Sequence, residues 1–292
     1  MHGLLNINKP AGMTSRRAVD IVDRLTRPDK SGHAGTLDPL ATGVLVVCVG
    51  AATRWIEYVQ QMPKHYVGTF LLGRQSATED TEGEVVKLPD QPRPTRNEIV
   101  ETAGRFLGTI AQRPPAFSAV KIAGRRAYEL ARKGQSPQLT PRPVEIHRIE
   151  VLAYQYPELV LDIACGSGTY IRSLGRDLAE SLGTAAVMSA LTRTSIGHFA
   201  LESAVNPYDL TADNWRQFLR PTSLAVEHLP RVRLSADEVN AIRCGRTVPG
   251  KQGEADAGAP EIAAFDPAGE LIGIVAFDAA GCLRTLRNMP TA

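Results

Sequence analysis

The chain has 292 residues, with 33 Lys and Arg against 31 Asp and Glu, for a formal net charge of +2. Hydrophobic residues make up 43% and charged residues 22%, which supports a sizeable core and excludes a disordered or collagen-like chain. The near-neutral total excludes a uniformly basic binder of nucleic acid but leaves room for a local basic patch.

In chain order, Leu4 to Asn8 predicts a short strand, and Pro10-Ala11-Gly12 turns the chain. Thr14 or Ser15 then caps a helix with apolar residues at Ala18, Val19, Ile21, Val22 and Leu25. Residues 30–43, with glycines at 32, 35 and 43, read as loop. Val44 to Val49 is a continuous apolar run of strand length, which predicts a strand buried on both faces. From Tyr66 to Leu72 the period of two places Tyr66, Gly68, Phe70 and Leu72 on one side. Residues 97–106 read as helix and Leu159 to Ala164 as strand. A further helix follows Gly166-Ser167-Gly168-Thr169 and carries Ile171, Leu174, Leu178 and Leu182 on one stripe. Beyond Leu229 the pattern changes: residues 249–260 read as exposed loop, and Glu261 to Phe265 and Leu271 to Phe277 as strands joined by Asp266-Pro267-Ala268-Gly269. The interleaving implies an α+β domain with a mixed, largely antiparallel sheet, over residues 1–228, and a small β-rich domain over 229–292.

Cys48, Cys165, Cys244 and Cys282 lie too far apart for a zinc or redox motif, and buried reduced thiols are expected. The six histidines are equally scattered, so no metal site is expected. The N-terminal residues lack a signal-peptide pattern, and no apolar run approaches the roughly 20 residues that cross a membrane. A soluble, cytoplasmic protein is expected. No Walker loop, nucleophile elbow or complete dinucleotide fingerprint is present, so no cofactor is expected either.

Two stretches carry chemistry. Residues 113–148 hold eight basic residues against Glu129 and Glu145, a local +6 within the overall +2. Such a window suits phosphate tracking, and Arg113, Lys121, Arg125, Arg126, Arg132 and Lys133 are the expected backbone contacts. In the loop from Gly32 to Gly43, Pro39 biases Asp38 toward an extended backbone beside a buried strand. From there the carboxylate could cap a turn, or serve as nucleophile or general base.

Five motifs in order then resemble one family: Asn6-Ile7-Asn8-Lys9-Pro10-x-Gly12-x-Thr14-Ser15, the His33 to Gly43 loop, Arg113-Pro114-Pro115-x-Phe117-Ser118-Ala119-x-Lys121, Gly168-Thr169-Tyr170-Ile171-Arg172, and Leu191-x-Arg193. Together they resemble the TruB family of tRNA pseudouridine synthases, over about Leu4 to Phe199. The resemblance implies that family's catalytic fold, with a small PUA-like RNA-binding domain at the C-terminus. It implies isomerisation of uridine 55 in the tRNA T-loop by base flipping, without cofactor, metal or obligate protein partner, in a monomer.

Residue by residue, the resemblance assigns Asp38 as catalytic aspartate and Arg172 as its partner. Tyr66 would stack on the flipped base, His33 would enter the space the base vacates, and Leu191 would wall the pocket. Tyr170 would be the active-site tyrosine, and Lys9 a supporting group. Asn8, Ser76 and Ala77 depart from the family pattern and put local hydrogen bonding in question. Two other readings stand beside this one: a non-catalytic RNA-binding or RNA-folding protein, and a small-molecule hydrolase with Asp38 and His33 as a dyad.

Overall fold

The computed structural model describes all residues except 119–120, 123–124, 128–129, 131–138, 251–258 and 290–292; at 121–122 and 125–126 only the backbone is described. Strand β1 (Gly3–Lys9) leads into helix α1 (Ser15–Thr26), with Thr14 as its cap, accepting from the Arg17 amide. Strands β2 (Ser31–His33), β3 (Thr42–Val49) and β4 (Lys64–Leu72) follow, then α2 (Arg96–Gly104), β5 (Gly108–Gln112), β6 (Arg142–Gln155) and β7 (Glu158–Cys165). Helix α3 (Ile171–Ser181), β8 (Ala186–Ile196) and β9 (Leu219–Arg220) complete the larger unit. Its ten-stranded sheet runs β9-β1-β3-β8-β4-β7-β6-β5, with β2 paired to β3 and the short strand Phe199–Ala200 paired to β8. All named pairs are antiparallel except β3 with β8. The fold is α+β with a mixed, largely antiparallel sheet, as the sequence pattern implies.

The apolar run of β3 explains its central place. Leu45, Val47 and Val49 enter one core cluster, while Val44, Val46 and Cys48 enter another on the opposite face. On β4 the alternation buries Tyr66, Gly68, Phe70 and Leu72. Helix α3 lays Ile171, Leu174 and Leu178 into the same cluster as Tyr66 and Phe70. Gly175 allows that approach: a Cβ there would sit 2.1 Å from the Phe70 ring.

Residues beyond Arg231 form a second, five-stranded sheet, β10 (Arg231–Arg233), β12 (Ile262–Phe265), β13 (Leu271–Phe277), β14 (Cys282–Asn288) and β11 (Val248–Pro249), in that spatial order. Helix α4 (Ala236–Arg243) packs with it, started by a Ser235–Glu238 capping box. The two sheets share a core in which the Trp55 indole N–H donates to Met289 Sδ at 3.2 Å. Most of the expected exposed loop at 249–260 lies outside the described residues.

Two sequence expectations need correction. Residues 30–43 are not all loop: Ser31 to His33 form β2, and β3 starts at Thr42. Of the four unpaired cysteines, Cys48 and Cys165 are buried, but Cys244 is exposed and Cys282 half-buried. Among the described residues no helix is long and apolar enough to cross a membrane.

Candidate active site

Asp38 stands in the segment between β2 and β3, its side chain about one-third exposed. The backbone around it is tied on both sides. The Ser15 hydroxyl donates to the Leu37 carbonyl at 3.0 Å and accepts from the Leu37 amide at 2.8 Å. The Gly12 amide donates to the Pro39 carbonyl at 2.8 Å. Lys9, fully buried at the end of β1, donates from Nζ to the carbonyls of Pro10 (2.9 Å), Met13 (2.7 Å) and Pro39 (3.3 Å). Thr14 thus caps α1, while Ser15, the other expected cap, holds the loop.

Arg172 reaches Asp38 from the first turn of α3. Its side chain is 6% exposed, and Nε lies 3.0 Å from Asp38 Oδ2. Nη1 lies 3.4 Å from Asp80 Oδ2 and donates to the Thr78 carbonyl at 2.7 Å, while Nη2 donates to the Phe117 carbonyl at 3.0 Å. A cation in the first helical turn opposes the macrodipole; here two carboxylates and two carbonyls offset that cost. Asp80 is held in turn by the Thr78 hydroxyl at 2.5 Å and the Glu82 amide at 3.1 Å. Ser76, one of the departures from the family pattern, donates to the Asp80 carbonyl at 2.6 Å, so the local network is satisfied.

Tyr170 precedes α3 and is clamped through its backbone. Its amide donates to Gln112 Oε1 at 2.8 Å, and Gln112 Nε2 donates to its carbonyl at 3.1 Å. The Arg142 guanidinium covers the Tyr170 ring at 5.1 Å from its centroid. Tyr66 and Leu191 are buried neighbours on β4 and β8, in the cluster that also contains Leu37. Their strands pair so that Leu191 faces Gly68 and Arg193 faces Tyr66.

The electrostatics follow from this packing. Burial pushes the Tyr66 phenol up, and the positive charge of Arg193 opposes that shift. Burial lowers Lys9 to about 8, with the Asp38 charge acting the other way. His33, half-buried on β2, is lowered by burial and by the charges of Arg193 and Arg16. Its Nδ1 is buried without a hydrogen-bond partner among the described residues. Glu82 is raised by burial and by the nearby Asp80 and Asp38 charges.

The structure therefore brings Asp38, Arg172 and Lys9 into one bonded network and sets Tyr66 beside Leu191. Among the described residues His33 makes no ion pair with Asp38, so the dyad of the hydrolase reading is not formed. Of the expected backbone contacts, Arg113 is exposed at the end of β5, and its carbonyl accepts from Arg176 at 2.9 Å. Lys121, Arg125 and Arg126 lie on a two-stranded antiparallel sheet whose side chains are not described. Arg132 and Lys133 lie outside the described residues. Part of the basic window is spent internally: Arg148 pairs with Glu150 at 2.6 Å. The sequence reading missed Asp80 and Arg193 as members of the site. Arg193 stood in the last of the quoted motifs and Asp80 in none, and the partners Arg172 and Val44 that give them meaning are distant in the chain.

A carboxylate fixed by a buried guanidinium, just before a central strand of a mixed sheet and within electrostatic reach of a buried tyrosine, can act as nucleophile or base on a base delivered from outside. The same fold occurs in the H/ACA ribonucleoprotein solved with a substrate RNA containing 2′-deoxyuridine, with a TM-score of 0.74 at 24% identity, covering 99% of this chain and 85% of that one. The family model that matches this chain over half its length makes it a protein of the pseudouridine synthase class. Residues 23–171 match the description "TruB family pseudouridylate synthase (N terminal domain)". The tRNA pseudouridine synthase B of Syntrophobacter fumaroxidans is 43% identical over 241 residues, 81% of this chain and 79% of that protein. The protein of the same name from an Arthrobacter species is 40% identical over 295 residues, 96% of this chain and 94% of its own. The chain belongs to the TruB family of pseudouridylate synthases.

Proposed function

We propose that this protein isomerises uridine 55 in the T-loop of tRNA to pseudouridine, with Asp38 as the catalytic carboxylate. The observation that carries the reading is the Asp38–Arg172 pair at 3.0 Å, built into a loop that Ser15, Lys9 and Gly12 tie down. The target base must leave its stack, at a cost of a few kcal/mol. His33, whose imidazolium is disfavoured by burial and by the charges of Arg193 and Arg16, suits the vacated space in the loop, and Tyr66 offers a ring for the extruded base. Leu191 and Tyr170 bound the pocket. Arg172 holds the Asp38 carboxylate in place, and Lys9 holds the backbone that carries it.

The chemistry needs no net redox change. The bond from uracil N1 to ribose C1′ breaks, C5 bonds to C1′, the C5 proton leaves to solvent and N1 regains one. Arg113, Lys121, Arg125, Arg126, Arg132 and Lys133 are the proposed phosphate contacts of the T-arm. Residues 1–228 are the proposed catalytic domain and residues 229–292 a PUA-like RNA-binding domain. The protein is expected to work in the cytoplasm, where its substrate resides, without an obligate protein partner. The test is to incubate unmodified tRNA transcript with the purified chain and map pseudouridine along it. Modification at position 55 alone supports the reading; an unmodified transcript at saturating protein sinks it.

A further inference from the structure

Arg193 is among the largest side chains buried completely in this protein, at 2% exposure. Among the described residues no carboxylate lies within ion-pair distance of it. A buried charge of this kind is costly, and an apolar side chain of similar volume would serve folding at least as well. Its hydrogen bonds show where the guanidinium is used. Nε donates to the Val44 carbonyl at 2.7 Å, Nη2 to the Gly35 carbonyl at 3.1 Å and Nη1 to the Thr36 carbonyl at 3.5 Å. Its Cζ lies 6.0 Å from the centroid of the Tyr66 ring, across the β4–β8 pair. The segment that presents Asp38 is thereby fixed one residue at a time: Arg193 takes residues 35 and 36, Ser15 takes Leu37, and Lys9 with Gly12 takes Pro39.

We propose that Arg193 is a positioning residue of the isomerisation, its fork of donors setting the entry of the Asp38 loop and its charge standing against the face of Tyr66. The inference rests on the roles assigned above to Asp38 and Tyr66. The planar fork spreads its donors over three nitrogens that reach Val44, Gly35 and Thr36 separately, whereas a lysine ammonium gathers its donors at one point and cannot span that set. The carbonyls of Gly35 and Thr36 lie three and two residues before Asp38, so releasing them shifts the carboxylate without touching the surface that meets RNA. A misplacement of about 1 Å can cost about a hundredfold in rate.

The experiment compares full-length wild type, Arg193→Lys and Arg193→Met on a tRNA transcript tritiated at uridine C5. Single-turnover tritium release at saturating protein, tRNA affinity by filter binding, and Tm are measured for each. The expected result is a saturated rate lower by about 10- to 100-fold in Arg193→Lys and lower again in Arg193→Met. Affinity should stay within about twofold, because the side chain lies beneath the site. A saturated rate equal to wild type in folded Arg193→Lys overturns the proposal. So does weakened affinity with an unchanged saturated rate, which would make Arg193 an RNA contact. Failure of both variants to fold would make its role one of stability and would also overturn it. A silent wild type would remove the functional reading and this inference together, whereas an active wild type with unaffected variants removes the inference alone.

Discussion

Arg172 serves two carboxylates, and substitution separates what each contributes. In Arg172→Ala, Asp80 keeps, among the described residues, only the Thr78 hydroxyl and the Glu82 amide in a site where its side chain is 3% exposed. Removing one partner of a buried pair costs about 3–5 kcal/mol. The Asp38 arm adds little to that figure, because water reaches about one-third of its side chain and screens the pair. Against a total of about 5–15 kcal/mol, the variant remains folded in the cold but is much weakened. Turnover should fall by at least about a hundredfold, because Asp38 loses the group that aims it. Adding Asp80→Asn removes the uncompensated buried charge. The double variant should therefore regain a large part of the lost stability and none of the lost rate. Urea unfolding followed by circular dichroism reads the first quantity, and single-turnover tritium release at saturating tRNA the second. Recovery of rate in the double variant, or full rate in the single one, would refute the assignment of the two arms.

The loop anchors make their own predictions. Ser15→Ala leaves the buried Leu37 amide and carbonyl without this partner, and should cost about 1–3 kcal/mol in urea unfolding with a parallel fall in kcat; unchanged stability and kcat would contradict the clamp. Gly43 has φ +97° and a Cβ there would stand 2.2 Å from the Arg193 carbonyl, so Gly43→Ala should lose about 2–4 kcal/mol from strain and overpacking combined. A Tm equal to wild type would show that the β3–β8 contact is looser than described. His33 should titrate below 6.5 in a two-dimensional NMR series, because burial and the charges of Arg193 and Arg16 disfavour the imidazolium. The unfolded chain then binds the proton first, so this group's contribution to stability is full above 6.5 and declines as pH falls toward the folded midpoint. A midpoint at or above 6.5 would contradict the environment assigned to it.

Much of the scaffold was legible in the residues. The unbroken apolar run of β3 and the period of two in β4 each fix which faces are buried, and the stripe on α3 fixes the helix against them. Asp38 was visible through Pro39 and the surrounding glycines, and Arg172 only through the family resemblance. What the sequence hides is contact across long chain distances. Thr78 and Arg172 are 94 residues apart, and Val44 and Arg193 are 149 apart, yet each pair is hydrogen-bonded. No local pattern marks Asp80 as a second acceptor or Arg193 as a buried clamp, because both roles depend on how the sheet closes. Strand β2 was hidden for a related reason: its three residues carry no apolar alternation and are ordered by main-chain pairing to β3.

The central claim is that the carboxylate of Asp38 performs the isomerisation. Tritium release from tRNA labelled at uridine C5 tests it most directly, with wild type and Asp38→Asn compared at equal, measured tRNA occupancy. The account predicts release by wild type and none by Asp38→Asn, with both binding tRNA alike. Release by Asp38→Asn at the wild-type rate would contradict it, as would saturable binding by wild type with no release at all.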